Sequence, residues 1–174
     1  RALDSITTTT LPAIKKEIKK GVVLEILENS FLTDEILQNH PVVYIGSGTD
    51  IEYPLALGGR NIIMVDPIFT DEAAVSEVLT RIKALVNEEI QNNSGRITFA
   101  FDFGSGPENV NVELVARPYG ENLEDGFEIP ENTSAILMFA SQGPDSKVEA
   151  DEHMRQMLTE NGVIIEDATL LRKT

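Results

Sequence analysis

Cysteine is absent from the 174 residues, and so is tryptophan. Without a thiol the chain forms no disulfide, offers no thiolate nucleophile and builds no thiolate metal site. Histidine is nearly absent, at two residues, His40 and His153. His40 precedes a proline at a turn and His153 falls off the apolar stripe of its helix, so both read as surface residues. The acids are scattered, and no metal-ligand spacing emerges. Basic residues are few: 14 Lys and Arg face 29 Asp and Glu, for a formal net charge of −15. A surface of that sign cannot release counterions from a phosphate backbone and is repelled by anionic lipid. Nucleic acid and membrane are therefore not expected partners. The acidity suits a small or cationic substrate, or simply a solvated surface. No apolar run reaches the roughly 20 residues of a membrane span, and residues 13–20 are too charged for a signal-peptide core. A cytoplasmic location is expected. The chain begins at Arg1 rather than Met, so a trimmed chain or a missing upstream segment is expected.

What is present is a buried-strand pattern around a glycine turn. Val42-Val43-Tyr44-Ile45 is a continuous apolar run, as a parallel strand buried on both faces requires. Gly46-Ser47-Gly48-Thr49-Asp50 comes next, then a short helical stretch over 51–57. Pro54 is tolerable there only near the helix start, and Gly58-Gly59 ends it. A second apolar run, Asn61–Val65, closes in Asp66-Pro67. Asp66 lies about 20 residues after Gly46, the separation at which a nucleotide-binding βαβ unit places an acid for ribose hydroxyls. Glycines in the turn allow tight turning and close approach of a ligand to the backbone.

These residues resemble the first motif of the class I S-adenosylmethionine-dependent methyltransferases: an apolar strand, an acid, one residue, Gly-x-Gly-x-Gly, and a second acid ending the next strand. Gly46, Gly48 and Asp66 match. Tyr44 stands where that family has its first acid, and Asp50 where it has its third glycine. The resemblance implies S-adenosylmethionine as cofactor. Gly46, Ser47 and Gly48 would lie near its methionine part, Asp66 on the ribose hydroxyls, and Pro67 with Ile68 beside the adenine. A carboxylate at Asp50 would repel the pyrophosphate of NAD, which such turns otherwise hold at a helix start. It is compatible with a ligand bearing an ammonium and a sulfonium. Asp50 also suits a helix cap, and the two roles can coexist. Tyr53, close to the turn, is either core or pocket.

Along the rest of the chain, Ile14, Ile18, Val22 and Ile26 recur every four residues and predict one long helix, or two pieces broken near Gly21. Thr33-Asp34-Glu35 opens a short helix ended before His40-Pro41. Thr70 is the expected cap of a long helix with a stripe from Val75 through Ile90. Residues 96–103 alternate with period two, and so do Val110, Val112, Leu114 and Ala116. The second Gly-x-Gly, at residues 104–106, therefore joins two strands of a hairpin and opens no helix, so it is not a phosphate-binding turn. Glu121 and Asn122 come after the third strand, where members of the resembled family contact the adenine. Residues 135–140 form the fourth strand, and Ser141 beyond its carboxyl end should face the ligand crevice. Ser146 with Glu149 makes a capping box for a last helix, and residues 163–165 a fifth strand.

The expected fold is a three-layer, Rossmann-like α/β domain spanning 1–174. It comprises a helical segment over 1–40 and a nucleoside-binding core over 41–167. Its mostly parallel sheet runs in the order 3-2-1-4-5 with an added antiparallel hairpin strand. No catalytic residue is named: Asp/Asn-Pro-Pro-aromatic, Gly-x-Ser-x-Gly and Gly-x-x-x-x-Gly-Lys patterns are all missing. The expected function is that of a methyltransferase-like protein with a small-molecule substrate. The alternatives are a non-catalytic binding domain or an NAD- or flavin-dependent oxidoreductase. A sheet edge left open by missing closing strands is available to a second copy, so a homo-oligomer is one reading.

Overall fold

A computed structural model describes residues 13–19, 22–27, 32–86, 89–104, 106–120, 123–138 and 152–165. Among them, β1 (Ala13–Lys19) and β2 (Val22–Leu27) form a two-stranded antiparallel sheet. This overturns the expected N-terminal helix. A spacing of four is also a multiple of two, so the same apolar positions satisfy strand alternation as well as a helical stripe. The stretch is also rich in β-branched residues, which favour strands.

The remaining strands are β3 (Val42–Ile45), β4 (Asn61–Val65), β5 (Gln91–Asn93), β6 (Arg96–Asp102), β7 (Pro107–Val115), β8 (Thr133–Met138) and β9 (Leu158–Ile165). They make one mixed sheet in the order β5-β6-β7-β4-β3-β8-β9. The pairings from β7 through β9 are all parallel, whereas β5-β6 and β6-β7 are antiparallel. The expected order of five strands with one added arm is thus not the order of the whole sheet, which carries two antiparallel strands at one edge. The extra strand, β5, turns into β6 through Ser94 and Gly95, with φ of 53° and 85°. Two central residues with positive φ are what a type I′ hairpin turn requires. Asn92 Oδ1 accepts the Gly95 N–H at 3.2 Å and tightens that turn. Between β6 and β7, Asp102 Oδ1 accepts from the N–H groups of Gly104 and Gly106 at 2.7 and 3.2 Å. The second Gly-x-Gly is therefore a hairpin connection held by its own aspartate.

Helices α1 (Asp34–Asn39), α2 (Glu52–Leu57), α3 (Glu72–Leu85) and α4 (Glu152–Met157) complete the described elements, with a 3-10 turn at Pro67–Thr70. Ser146 and Glu149, the expected cap of the last helix, lie outside the described residues. Thr33 caps α1 by accepting from the Ile36 N–H at 3.2 Å. The cap of α3 is Asp71, whose Oδ1 accepts from the Ala73 N–H at 2.9 Å. Thr70, the expected cap, instead ends the 3-10 turn. Pro67 opens that turn, and the start of α3 moves one residue further along than the sequence pattern suggests.

Alternation along the strands sends side chains to two faces. On one, Ile62, Met64, Ile97, Phe99 and Val112 pack on Val78 and Ile82 of α3, while Val42, Tyr44 and Leu137 pack on Leu37 of α1 and Leu57 of α2. On the other, Val43, Ile45, Ile136 and Ile164 pack on Met154 of α4 and on Ile129. Helices therefore lie on both faces, and β3 is buried at every residue.

Gly58 ends α2 in the left-handed conformation, at φ 101°. A Cβ there would meet Leu37 Cδ1 at 3.0 Å and Arg60 Nη1 at 3.4 Å. Gly58→Ala combines a conformational penalty with that crowding and is expected to cost about 1–2 kcal/mol. Urea unfolding should show a lower midpoint at unchanged slope; an unmoved midpoint would refute the argument.

Candidate functional site

The glycine turn stands at the carboxyl end of β3. Gly46 and Gly48 have φ of 62° and 53°, conformations that side chains with a Cβ rarely adopt. A Cβ on either would meet no atom within 4 Å. The requirement for glycine is thus one of backbone conformation, and the space beside the turn is open. Gly46 N–H reaches Val65 O at 2.8 Å, tying the turn to the end of β4.

Asp66, at the end of β4, organises both turns of the site. Its Oδ2 accepts the Gly48 N–H at 2.8 Å and its Oδ1 the Ile68 N–H at 2.9 Å. One half-buried carboxylate therefore holds the glycine turn and caps the 3-10 turn. Each oxygen keeps a lone pair for a further donor. Pro67 and Ile68 are exposed beside it. Ile68, at 45%, and Leu123, at 53%, are the exposed large apolar side chains among the described residues.

Ser47 is buried and its Oγ donates to Gly48 O at 2.9 Å, so its side chain folds onto its own turn. Tyr44 is in the core, edge-on to Tyr53 with ring centroids 6.1 Å apart. Tyr53 packs with that same apolar cluster. Asp50 does not cap α2: the capping position is Ile51, with no side-chain bond. The Asp50 carboxylate reaches instead to Arg81 on α3, at 2.8 Å.

That arginine is not evident from the sequence. Its Nη1 also meets Glu52 Oε1 at 2.9 Å, and its Nε meets Glu77 at 3.2 Å. Burial opposes its charge, but Glu52, Glu77 and Asp50 outweigh burial and raise its pKa. The only sequence signal is the helical spacing of Glu77 and Arg81. The link to Asp50 depends on how α3 docks.

No family model matches this chain, and neither does any curated protein or solved structure.

Glu121, Asn122 and Ser141 lie outside the described residues. Among the described residues nearby, the Phe127 N–H reaches Pro118 O at 2.8 Å and the Gly126 N–H reaches Leu123 O at 3.1 Å. A separate groove of about 320 Å³ opens near the amino ends of the parallel strands, lined by Pro41, Asn61, Thr98, Asn111 and Glu113 among others. Ligands of open α/β sheets sit beyond the carboxyl ends, so the glycine turn is the better candidate. Among the described residues, no helix is long and apolar enough to cross a membrane.

Proposed function

We propose that the carboxyl-end crevice at Gly46–Asp66 binds an adenosyl ligand of the S-adenosylmethionine type, in a Rossmann-like, methyltransferase-like protein acting on a small-molecule substrate. The carrying observation is that Asp66 bonds Gly48 and Ile68 together. An acid with spare acceptor capacity, a turn open to close approach and an exposed apolar side chain thus stand side by side. These groups fit an adenosyl moiety: Asp66 for ribose hydroxyls, Pro67 and Ile68 for the adenine, and the Gly46–Gly48 backbone for the methionine end. When bound, S-adenosylmethionine would supply a methyl group for in-line transfer, in which positioning provides much of the acceleration.

A second reading, a binding domain without catalysis, draws support from Tyr44 and Asp50. The first is a core phenol where the resembled family has an acid, and the second is paired with Arg81, so neither position offers a free carboxylate to a methionine ammonium. The same pairing weakens the repulsion of a pyrophosphate. NAD therefore remains an arm of the test.

Calorimetric titration with S-adenosylhomocysteine and, in parallel, NAD separates the readings. The expected result is micromolar binding of the former alone. Binding of NAD alone would transfer the site to oxidoreductase chemistry. Binding of neither by a folded chain would leave the inherited fold without this pocket's function.

A further inference from the structure

We propose that Arg81 is the positioning residue of the glycine-turn site, fixing the chain after Gly48 and setting how much of the Asp50 charge reaches the crevice. The inference rests on the adenosyl reading above for its ligand, but not for its mechanics.

The turn needs an external hold. Gly46 and Gly48 are conformationally free in the unfolded chain, α2 has six residues, and Ile51 supplies no cap. A helix that short is not stable by itself. Inside the segment, the Asp50 N–H reaches Ser47 O at a long 3.3 Å and the Ile51 N–H reaches Thr49 O at 2.9 Å. Three outside ties complete it. At the end of β4, Val65 O takes the Gly46 N–H and Asp66 takes the Gly48 N–H; from α3, Arg81 takes Asp50 and Glu52. Together they immobilise both ends of the segment that a ligand would touch, before any ligand arrives. Preorganisation of that kind lowers the ordering cost of binding.

The charges give Arg81 its second role. One guanidinium faces three carboxylates, Asp50, Glu52 and Glu77. With Arg81 in place, Asp50 is drawn toward α3. Without it, the two carboxylates nearest the turn lose their counterion and the crevice becomes more negative. A ligand with a sulfonium would then be favoured over its neutral thioether counterpart. Loosening alone would weaken both equally.

The test compares wild type with Arg81→Met and Arg81→Lys. Hydrogen exchange of the amides from Gly46 to Ile51, measured without ligand, should accelerate in Arg81→Met and return toward wild type in Arg81→Lys. Titrations should show affinity for S-adenosylhomocysteine falling at least about tenfold in Arg81→Met, with the S-adenosylmethionine to S-adenosylhomocysteine affinity ratio rising. Unchanged exchange overturns the proposal whatever the ligands do. Unchanged affinities in a wild type that binds overturn it as well, and an unchanged ratio removes its electrostatic half. If wild type binds neither compound, the adenosyl reading falls; accelerated exchange confined to this segment then still supports the clamp.

Discussion

Arg60→Ala is expected to lower the stability of the fold by about 3 kcal/mol, through a stranded Gly58 carbonyl, a lost charge-assisted hydrogen bond and lost packing of the buried side chain. Arg60 is 5% exposed. Its Nη1 donates to Gly58 O at 2.7 Å, and its Nη2 meets Glu108 at 3.0 Å and Asp34 at 3.3 Å. The guanidinium also lies 4.1 Å from the centre of the Phe103 ring. One side chain thus joins the end of α2, the start of α1, β7 and the residue after β6. The partners are unequal. Asp34 is largely exposed at 79% and contributes little. Glu108 is 26% exposed and the Gly58 carbonyl lies at the buried end, so these two carry most of the loss. Arg60 Nε, in contrast, is buried without a hydrogen-bond partner, a cost that the native state already bears. Arg60→Met removes that cost and keeps an aliphatic contact on Phe103, so it should lose about half as much. Urea midpoints of the two variants decide the matter. If Arg60→Ala lies within about 0.5 kcal/mol of wild type, the junction is not a stabilising one.

The same contact sets an acid dependence. The hydrogen bond from Arg60 is the main cause that holds the Glu108 carboxyl below its ordinary value of 4.5; burial works the other way, and the Gln38 amide and the Arg60 charge add to the lowering. A carboxyl whose folded pKa is depressed contributes stability that is present above the unfolded value and is lost as pH falls through the folded one. Stability from this pair is therefore intact at neutral pH and declines below about 4.5. In Arg60→Ala that part of the acid slope should vanish. An identical slope in both proteins would show that Glu108 gains nothing from its partner.

Arg60 also shows where sequence reading stops. It sits between Gly58-Gly59 and an apolar strand, one basic residue in an acidic chain, and nothing local says that it is buried. Its partners lie 26 and 48 residues away, so the junction exists only once β7 has paired beside β4. Arg81 is the same case, since Asp50 is 31 residues distant. Periodicity is enough for β3, β4, β6, β7 and α3, because burial on one or both faces writes itself into the spacing of apolar residues. It is not enough at the N-terminus, where a repeat of four residues fits a strand pair as well as a helix. Nor can it find β5, where Gln91-Asn92-Asn93 has no apolar pattern at all and is exposed throughout. The Gly46–Asp66 relation is legible because it is local: one strand, one turn, one strand. Its hydrogen bond to Gly48, in contrast, is a product of folding that spacing only makes feasible.

Asp66→Ala carries the largest expected effect on the proposed site, a loss of adenosyl affinity on the order of 100-fold. Two mechanisms contribute. The substitution removes the acceptors for the Gly48 and Ile68 N–H groups, at 2.8 and 2.9 Å, which loosens the turn and costs about 1 kcal/mol of stability as the loss of a cap does. It also removes the charged acceptor offered to ribose hydroxyls. A double-mutant cycle separates the two. Wild type and Asp66→Ala are each titrated with adenosine and with 2′,3′-dideoxyadenosine. If Asp66 holds the hydroxyls, wild type prefers adenosine and the variant does not discriminate. If its role is only to shape the turn, the variant weakens both ligands by the same factor and the preference persists. Equal affinity of wild type and variant for adenosine would remove Asp66 from the site altogether. The carboxylate would then be what its hydrogen bonds by themselves describe, a structural tie between the end of β4 and the glycine turn.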